Sequence, residues 1–410
     1  MPVKKPFNIL IFNCGSSSLS YKIFKTGNPS GQKAFASGKA HRVGVKGTEK
    51  SFINHQYRGN TRKHTVSLKT HRQAARLILE HIKRNAIRID LIGHRFVHGG
   101  KYFNNSVIIT PGILQKLQLC SPLAPIHNPA SLSVIMASKK FLPRIKQYVA
   151  FDSAFHATIP PFAYTYALPK RIVNKFSFRK YGFHGLSYSY ITKKTAHFLG
   201  TSANRLNIIA CHLGTGGSSV AAIKNGHSID TSMGFSPLTG LIMSTRCGDI
   251  DPMLAIYLLF SYNYRSDYLM DLLENKSGLL GISGFSSDIR DIISYKGKRQ
   301  KKQAQLAFDM YIQRLKKYIG SYVIALGGID ALIFTDDIGT HNWMVREKVC
   351  EDMSWCGIVL NKKANRKISG RKTTIINYPQ SAVRILCVPA DEEYVIYLEG
   401  LNLLKENKKV

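Results

Sequence analysis

Asn8-Ile9-Leu10-Ile11-Phe12-Asn13-Cys14-Gly15-Ser16-Ser17-Ser18 and, 199 residues later, Asn207-Ile208-Ile209-Ala210-Cys211-His212-Leu213-Gly214-Thr215-Gly216-Gly217 are two copies of one pattern. Each is a short apolar run, then a turn of glycine and hydroxyl residues, then a second apolar run: Leu19 to Phe24 in the first copy, Ser218 to Ile223 in the second. The second run stands where a dinucleotide or P-loop motif needs a helix, and no G-x-x-x-x-G-K-[ST] occurs anywhere in the chain. The pattern therefore reads as strand, turn, strand, twice over. One such turn alone is an ordinary β-turn or an anion cradle built from backbone N–H groups and side-chain donors. The pairing favours phosphate, and a duplicated fold with a cleft between the copies.

Outward from these hairpins, short apolar runs alternate with amphipathic segments, the pattern of an α/β fold. Phe7–Asn13, Tyr21–Phe24, Asn207–Leu213, Ser219–Ile223 and Ala331–Thr335 read as strands. Helices are expected over about Gln73 to Lys83 and Ala304 to Ala325, the second stopped by Gly327-Gly328. The 410 residues allow two domains, and 44% hydrophobic residues are too many for a disordered polyelectrolyte. No run reaches the roughly 18 apolar residues of a membrane span.

The region before Glu49 lacks acidic residues and is rich in serine, as transit peptides are, but a strand with a candidate phosphate loop already begins at Phe7. Cleavage would remove the site. Seven cysteines without a C-x-x-C pair suggest neither a disulfide framework nor zinc, and a reducing compartment is the default. Lys and Arg number 58 against 24 Asp and Glu, a net charge of +34. The clusters at Lys296–Lys302, Lys362–Lys372 and Lys405–Lys409 are not interleaved with aromatic residues, which favours a solvated surface over a nucleic-acid groove. Such a charge suits small anionic ligands.

Several loops carry chemistry. Gly93-His94-Arg95-Phe96-Val97-His98-Gly99-Gly100 offers an arginine able to fork onto a carboxylate or phosphate, or a plain surface arginine on a turn. His127 sits between Pro125 and Pro129, in a structural or a functional role. Asp152 ends the apolar run Tyr148–Phe151, a common place for a catalytic carboxylate. His184 lies between glycines in Tyr181-Gly182-Phe183-His184-Gly185, and Arg246 lies in the small-residue loop Met243–Pro252. Asp391-Glu392-Glu393 is an acidic triplet in an acid-poor chain, either a solvated helix start or a magnesium ligand. Together they form a phosphoryl-transfer set.

These motifs resemble the acetate kinases, a family of the acetate and sugar kinase, Hsc70 and actin superfamily, over Asn13 to Glu393 and in the family order. The match rests on NCGSSSL at Asn13, GHRFVHGG at Gly93, LAPIHNP at Leu123, FDSAFH at Phe151 and RKYGFHG at Arg179. It continues through TSMGFSPLTGL at Thr231, TRCGDIDP at Thr245, SGLLGISGFSSDIRD at Ser277 and ADEE at Ala390. The resemblance implies two actin-like (ribonuclease H-like) α/β domains, residues 1–152 with 390–410 and residues 153–389, around an interdomain cleft. It also implies a cytoplasmic homodimer that reversibly phosphorylates acetate from ATP with magnesium, or alternatively manganese. On this pattern Asn13 and Glu392 hold the metal, Arg95 binds the substrate carboxylate and Asp152 is the catalytic acid/base. His184 and Arg246 stabilise the transition state, with His127 on the transferring phosphoryl group. Val97, Phe183 and Pro237 line the methyl pocket. ATP contacts fall on Ser20, on His212, Leu213, Gly214, Thr215 and Gly216, on Asp288, Ile289 and Arg290, and on Asp337, Ile338, Gly339, Thr340 and His341.

The departures from the family cluster on the nucleotide side. Ser20 stands for the usual lysine of SSSLK, although a strand puts Lys22 on the same face. Thr215 replaces the usual asparagine, Leu186-Ser187-Tyr188 replaces Thr-Ser-His, and the usual GIGEN loop reads Asp337-Ile338-Gly339-Thr340-His341 after Asp336. Two carboxylates there are repulsive toward phosphates. The readings left open are an acetate kinase with weakened or altered nucleotide use, a propionate or butyrate kinase, a kinase with another donor, and an impaired homologue that binds nucleic acid.

Overall fold

The computed structural model describes residues 6–27, 33–45, 47 and 49–406. The chain falls into two compact units, Met1–Ala154 with Asp391–Val410, and Phe155–Ala390.

In the first unit the strands Asn8–Cys14 and Ser18–Lys25 form the expected hairpin, with Asn8 opposite Lys25 and Cys14 opposite Leu19. In the second, Asn207–Leu213 and Ser218–Lys224 pair with Asn207 opposite Lys224 and Leu213 opposite Ser218, the same register 199 residues on. The turns match as well. Gly15 N–H donates to the Ser18 carbonyl at 2.9 Å, and Gly214 N–H to the Gly217 carbonyl at 3.1 Å.

Each hairpin is extended on one side by an antiparallel strand, Ala36–His41 or His227–Thr231. On the other side lie two parallel strands: Leu91–Phe96 and Lys146–Phe151 in the first sheet, Ala331–Thr335 and Arg384–Cys387 in the second. The first sheet has eight strands and the second six. In both, the first hairpin strand and its two parallel neighbours end on one sheet edge, where open α/β sheets place their ligands.

Helix His71–Arg84 carries the chain back to Leu91–Phe96. Thr70 caps it by accepting from Gln73 N–H at 3.2 Å, and Ala74, Ala75, Ile78, Leu79 and Ile82 form its buried stripe. That stripe packs on Leu10, Phe12, Tyr21 and Ile23. Truncating Ile78 to alanine would cost about 2–5 kcal/mol. In the second unit, helix Lys301–Leu326 packs Ala307, Tyr311, Leu315, Ile319 and Tyr322 on Ile209, Cys211, Val220 and Ala222, and ends at Gly327 in the left-handed region, φ 72°. The final helix, Glu392–Glu406, lies on the first sheet, with Tyr148 Oη donating to the Ile396 carbonyl at 2.6 Å and Phe24 stacked on Tyr397. This packing brings the acidic triplet to the first hairpin. Among the described residues no helix is long and apolar enough to cross a membrane.

Candidate active site

The first unit gathers Asn13, Arg95 and Asp152 because all three lie at the carboxyl ends of the neighbouring parallel strands. Asp152 is fully buried and takes the Arg95 guanidinium in a fork, Nε to Oδ1 at 3.0 Å and Nη2 to Oδ2 at 2.6 Å. Arg95 Nη1 donates to Asn13 Oδ1 at 3.0 Å and lies 3.3 Å from Glu392 Oε2. Burial opposes the charge on Arg95, but Asp152 and Glu392 more than offset it and hold the guanidinium above its usual range.

Asn13 Nδ2 completes the cluster, donating to Glu392 Oε2 at 3.0 Å and Glu393 Oε1 at 3.2 Å. Ser20 Oγ donates to Glu393 Oε1 at 2.7 Å, and Lys22 Nζ reaches Asp391 at 2.8 Å and Glu393 at 3.3 Å. Burial pushes the Glu393 carboxyl up, and Lys22 and the Ser20 hydroxyl more than reverse this, leaving it below its usual value. Ser20 and Lys22 thus share one face and both engage the acidic triplet. The triplet also opens a helix, with Glu392 and Glu393 in its first turn, so both sequence readings of it apply.

Val97 follows Arg95 and is buried. His127 is the residue before helix Asn128–Phe141 and is half-buried. Asn128 fastens this segment, accepting from His98 N–H and donating to the carbonyls of His98 and Cys120.

The oxygen donors suit a hard divalent ion. Glu392 presents a carboxylate oxygen, and Asn13 turns its Nδ2 toward it while its Oδ1 accepts from Arg95; Glu393 is committed to Lys22 and Ser20. No group of three or more His, Cys, Asp or Glu able to hold a metal occurs among the described residues. One or two protein oxygens completed by water and substrate phosphate is the usual magnesium arrangement.

In the second unit, His184 sits at the start of helix Gly185–Phe198 with left-handed φ of 59°. Its Nδ1 is 2.8 Å from Ser219 Oγ, and its ring stacks on His212 with centroids 4.1 Å apart. Arg246 is half-buried, and among the described residues no carboxylate lies within ion-pair distance of it. Burial lowers its pKa, with Glu274 only partly compensating. Arg246 Nη1 and His184 Nε2 converge on the second turn, lying 3.3 and 3.6 Å from the point a Cβ on Gly217 would occupy. Two donors beside a glycine turn offer what an anion site requires.

The altered loops lie against this turn. Asp336 adopts φ of 64° and places Oδ2 3.1 Å from His212 Nε2, and a Cβ on Gly214 would run into the same carboxylate and come within 2.9 Å of the Gly217 carbonyl. Thr215 Oγ1 donates to Asp337 Oδ2 at 3.4 Å. His212 and Leu213 close their strand and are buried, and Gly216 lies at the turn. Asp288 caps helix Ile289–Ser294 by accepting from Arg290 N–H and also pairs with the Arg290 guanidinium. Ile338, Gly339 and Thr340 are buried in the short helix Asp336–His341, where Thr340 Oγ1 donates to the Asp336 carbonyl. Phe183 is buried, its carbonyl 2.9 Å from His156 Nε2, and Pro237 is half-buried in a loop.

Sequence reasoning missed three residues of this region. Arg346, only 1% exposed, donates to the Gly339 carbonyl at 2.9 Å and to Asn365 Oδ1 at 2.7 Å, so it braces the 336–341 segment from behind. Ser219 and Tyr188 are fully buried behind His184, 2.5 Å apart through their hydroxyls. The sequence marked Ser219 as the start of a strand and Tyr188 as a departure from the family motif, and it gave Arg346 no role.

Residues 8–398 match the family model described as the acetokinase family. The chain is 44% identical over 405 residues to a protein of Caldicellulosiruptor saccharolyticus named acetate kinase, covering 97% of this chain and 100% of that one. Among solved structures it is similar to the acetate kinase of Entamoeba histolytica, with a TM-score of 0.87, 45% identity and coverage of 97% and 100%. It is also similar to a propionate kinase of Francisella tularensis, with a TM-score of 0.87, 33% identity and coverage of 97% and 100%.

Proposed function

The chain belongs to the acetokinase family, and we propose that it transfers the γ-phosphoryl group of ATP reversibly to acetate, giving acetyl phosphate and ADP. A carboxylate oxygen of acetate attacks the γ-phosphorus, and the bond from phosphorus to the ADP oxygen breaks. The observation that carries this reading is Arg246, a half-buried guanidinium with no carboxylate partner among the described residues, aimed with His184 at a glycine turn. These donors would neutralise charge on the equatorial oxygens of the transferring group.

Acetate is already ionised at neutral pH, so no proton has to leave the nucleophile. The fork between Asp152 and Arg95 accordingly supports a role for Asp152 in orienting Arg95 toward the substrate carboxylate. His127 is assigned to the transferring phosphoryl group, and Val97, Phe183 and Pro237 to the acyl side. Asn13 and Glu392 would hold a divalent ion, magnesium or alternatively manganese, which when bound neutralises the donor phosphates.

Asp336 and Asp337 temper the expected repulsion through contacts with His212 and Thr215, which supports ATP as donor despite the altered loops. Two further readings come with the family. A homodimer is supported by helix Pro252–Phe260, where Met253, Leu254, Ile256, Tyr257 and Phe260 are all exposed, Phe260 by 78%. A cytoplasmic location accords with seven free thiols.

The test is steady-state turnover with magnesium against ATP, GTP and pyrophosphate as donors and acetate, propionate and butyrate as acceptors. The highest kcat/KM is expected for ATP with acetate. Turnover confined to pyrophosphate, or a preference for butyrate, would replace the donor or acceptor named here.

A further inference from the structure

The geometry points to a buried relay, Tyr188 Oη to Ser219 Oγ to His184 Nδ1, that fixes His184 in the tautomer carrying its proton on Nε2, beside Arg246. The inference rests on the reading that His184 acts on the transferring phosphoryl group, and it assigns Tyr188 and Ser219 as positioning residues.

The steps are short and buried. Tyr188 Oη is 2.5 Å from Ser219 Oγ, and Ser219 Oγ is 2.8 Å from His184 Nδ1; Tyr188 and Ser219 are both fully buried. Burial raises the Tyr188 phenol above its ordinary value, so it keeps its proton. The phenol then donates to Ser219 Oγ, and the single serine hydrogen is left for His184 Nδ1. An imidazole that accepts at Nδ1 carries its hydrogen at Nε2 when neutral. Nε2 is the atom that shares the Gly217 turn with Arg246 Nη1, so the relay turns a two-fold choice of tautomer into a donor aimed at the anion site.

The neighbouring imidazole is fixed by separate contacts. His212 stacks on His184, its Nε2 is 3.1 Å from Asp336 Oδ2 and its Nδ1 is 3.0 Å from Ser187 Oγ. Among the described residues the groups facing His184 include Tyr188 from its own helix, Ser219 and His212 from the two hairpin strands, Arg246 from the 243–252 loop, and Asp336 acting through His212. Tyr188 stands where the family motif has histidine, so this chain supplies the relay's outer hydroxyl from a position altered from the pattern.

The test combines a tautomer readout with kinetics. Nitrogen-15 NMR of histidine-labelled protein, with His184 assigned by the loss of its signal in His184→Ala, reads which ring nitrogen carries the proton above pH 8. The wild type is expected to show Nδ1 unprotonated and Nε2 protonated. Ser219→Ala is expected to populate the other tautomer, to lower kcat about tenfold with the acetate KM within twofold, and to shift the pH profile of kcat. Tyr188→Phe leaves the serine hydroxyl free to rotate and is expected to lose about threefold in kcat, while Ser219→Thr restores the tautomer and most of the rate. A proton on Nδ1 in the wild type overturns the relay, as does a Ser219→Ala enzyme with unchanged tautomer and kcat. If His184→Ala itself keeps full kcat, the assignment of His184 fails, a distinct result because it needs no tautomer change.

Discussion

Replacing Lys22 with methionine isolates the charge that this chain keeps in its first hairpin although residue 20 is serine. Lys22 Nζ lies 2.8 Å from Asp391 and 3.3 Å from Glu393, and its side chain is 30% exposed. At an effective dielectric of ~20, a unit pair at such distances attracts by about 5–6 kcal/mol, and desolvation and solvent screening return most of it, leaving roughly 1–2 kcal/mol net. Its loss leaves three consecutive carboxylates at a helix start, with Ser20 and Asn13 as the side-chain donors to Glu393 among the described residues. Glu393 then competes harder for Asn13 Nδ2, which also holds Glu392, and the pair assigned to the divalent ion loses its alignment.

Lys22→Met is therefore expected to lower Tm by roughly 3–6 °C, to reduce kcat about tenfold, and to raise the magnesium concentration for half-maximal rate several-fold. Lys22→Arg should keep most of each. Thermal melts and magnesium titrations of the initial rate read these effects. A Lys22→Met enzyme with wild-type magnesium dependence and unchanged kcat would refute the bracing argument.

Three further outcomes can be checked. Asp337→Gly removes an exposed carboxylate beside the second turn and should lower the KM for ATP about three- to tenfold at nearly constant kcat; an unchanged or higher KM contradicts the assignment of that loop to the donor. Arg346→Met strands the Gly339 carbonyl and Asn365 Oδ1 and should destabilise the protein by about 2–4 kcal/mol in urea melts; coincident melts refute the bracing role. Burial lowers the pKa of each of His55, His94 and His156 from 6.5 to about 4, with neighbouring His81 adding to the effect at His55. These rings are neutral when folded but charge more readily when unfolded. Their stabilisation is thus complete above pH 6.5 and lost as pH falls toward 4, up to about 3 kcal/mol each. A Tm independent of pH between 7 and 5 would contradict it.

The hairpins were legible because strand periodicity, turn composition and the repeat all pointed to the same structure, and the register confirms the offset residue for residue. The helix before Gly327 was legible from spacing and its stop signal. The strands Ala36–His41, Phe52–Tyr57 and Asn60–Thr65 were not: the last is exposed along its length, so no apolar alternation marks it. At the site, local motifs exposed Arg95, Asp152, His184 and Arg246, but nothing local couples Asn13 to Glu392 across 379 residues. That contact depends on the last helix packing back on the first sheet. Ser219, Tyr188 and Arg346 escaped because burial gives a serine, a tyrosine or an arginine its role, and burial of a single polar residue leaves no periodic trace.

The central claim is that the chain phosphorylates acetate through the anion site at the second hairpin. Phosphorus NMR of purified protein with ATP, magnesium and acetate tests it most directly. The acetyl phosphate resonance should grow as that of the γ-phosphate declines, and Arg246→Ala should abolish this while keeping the wild-type melt. Folded wild-type protein that forms no acetyl phosphate, or an Arg246→Ala enzyme as fast as wild type, would contradict the account.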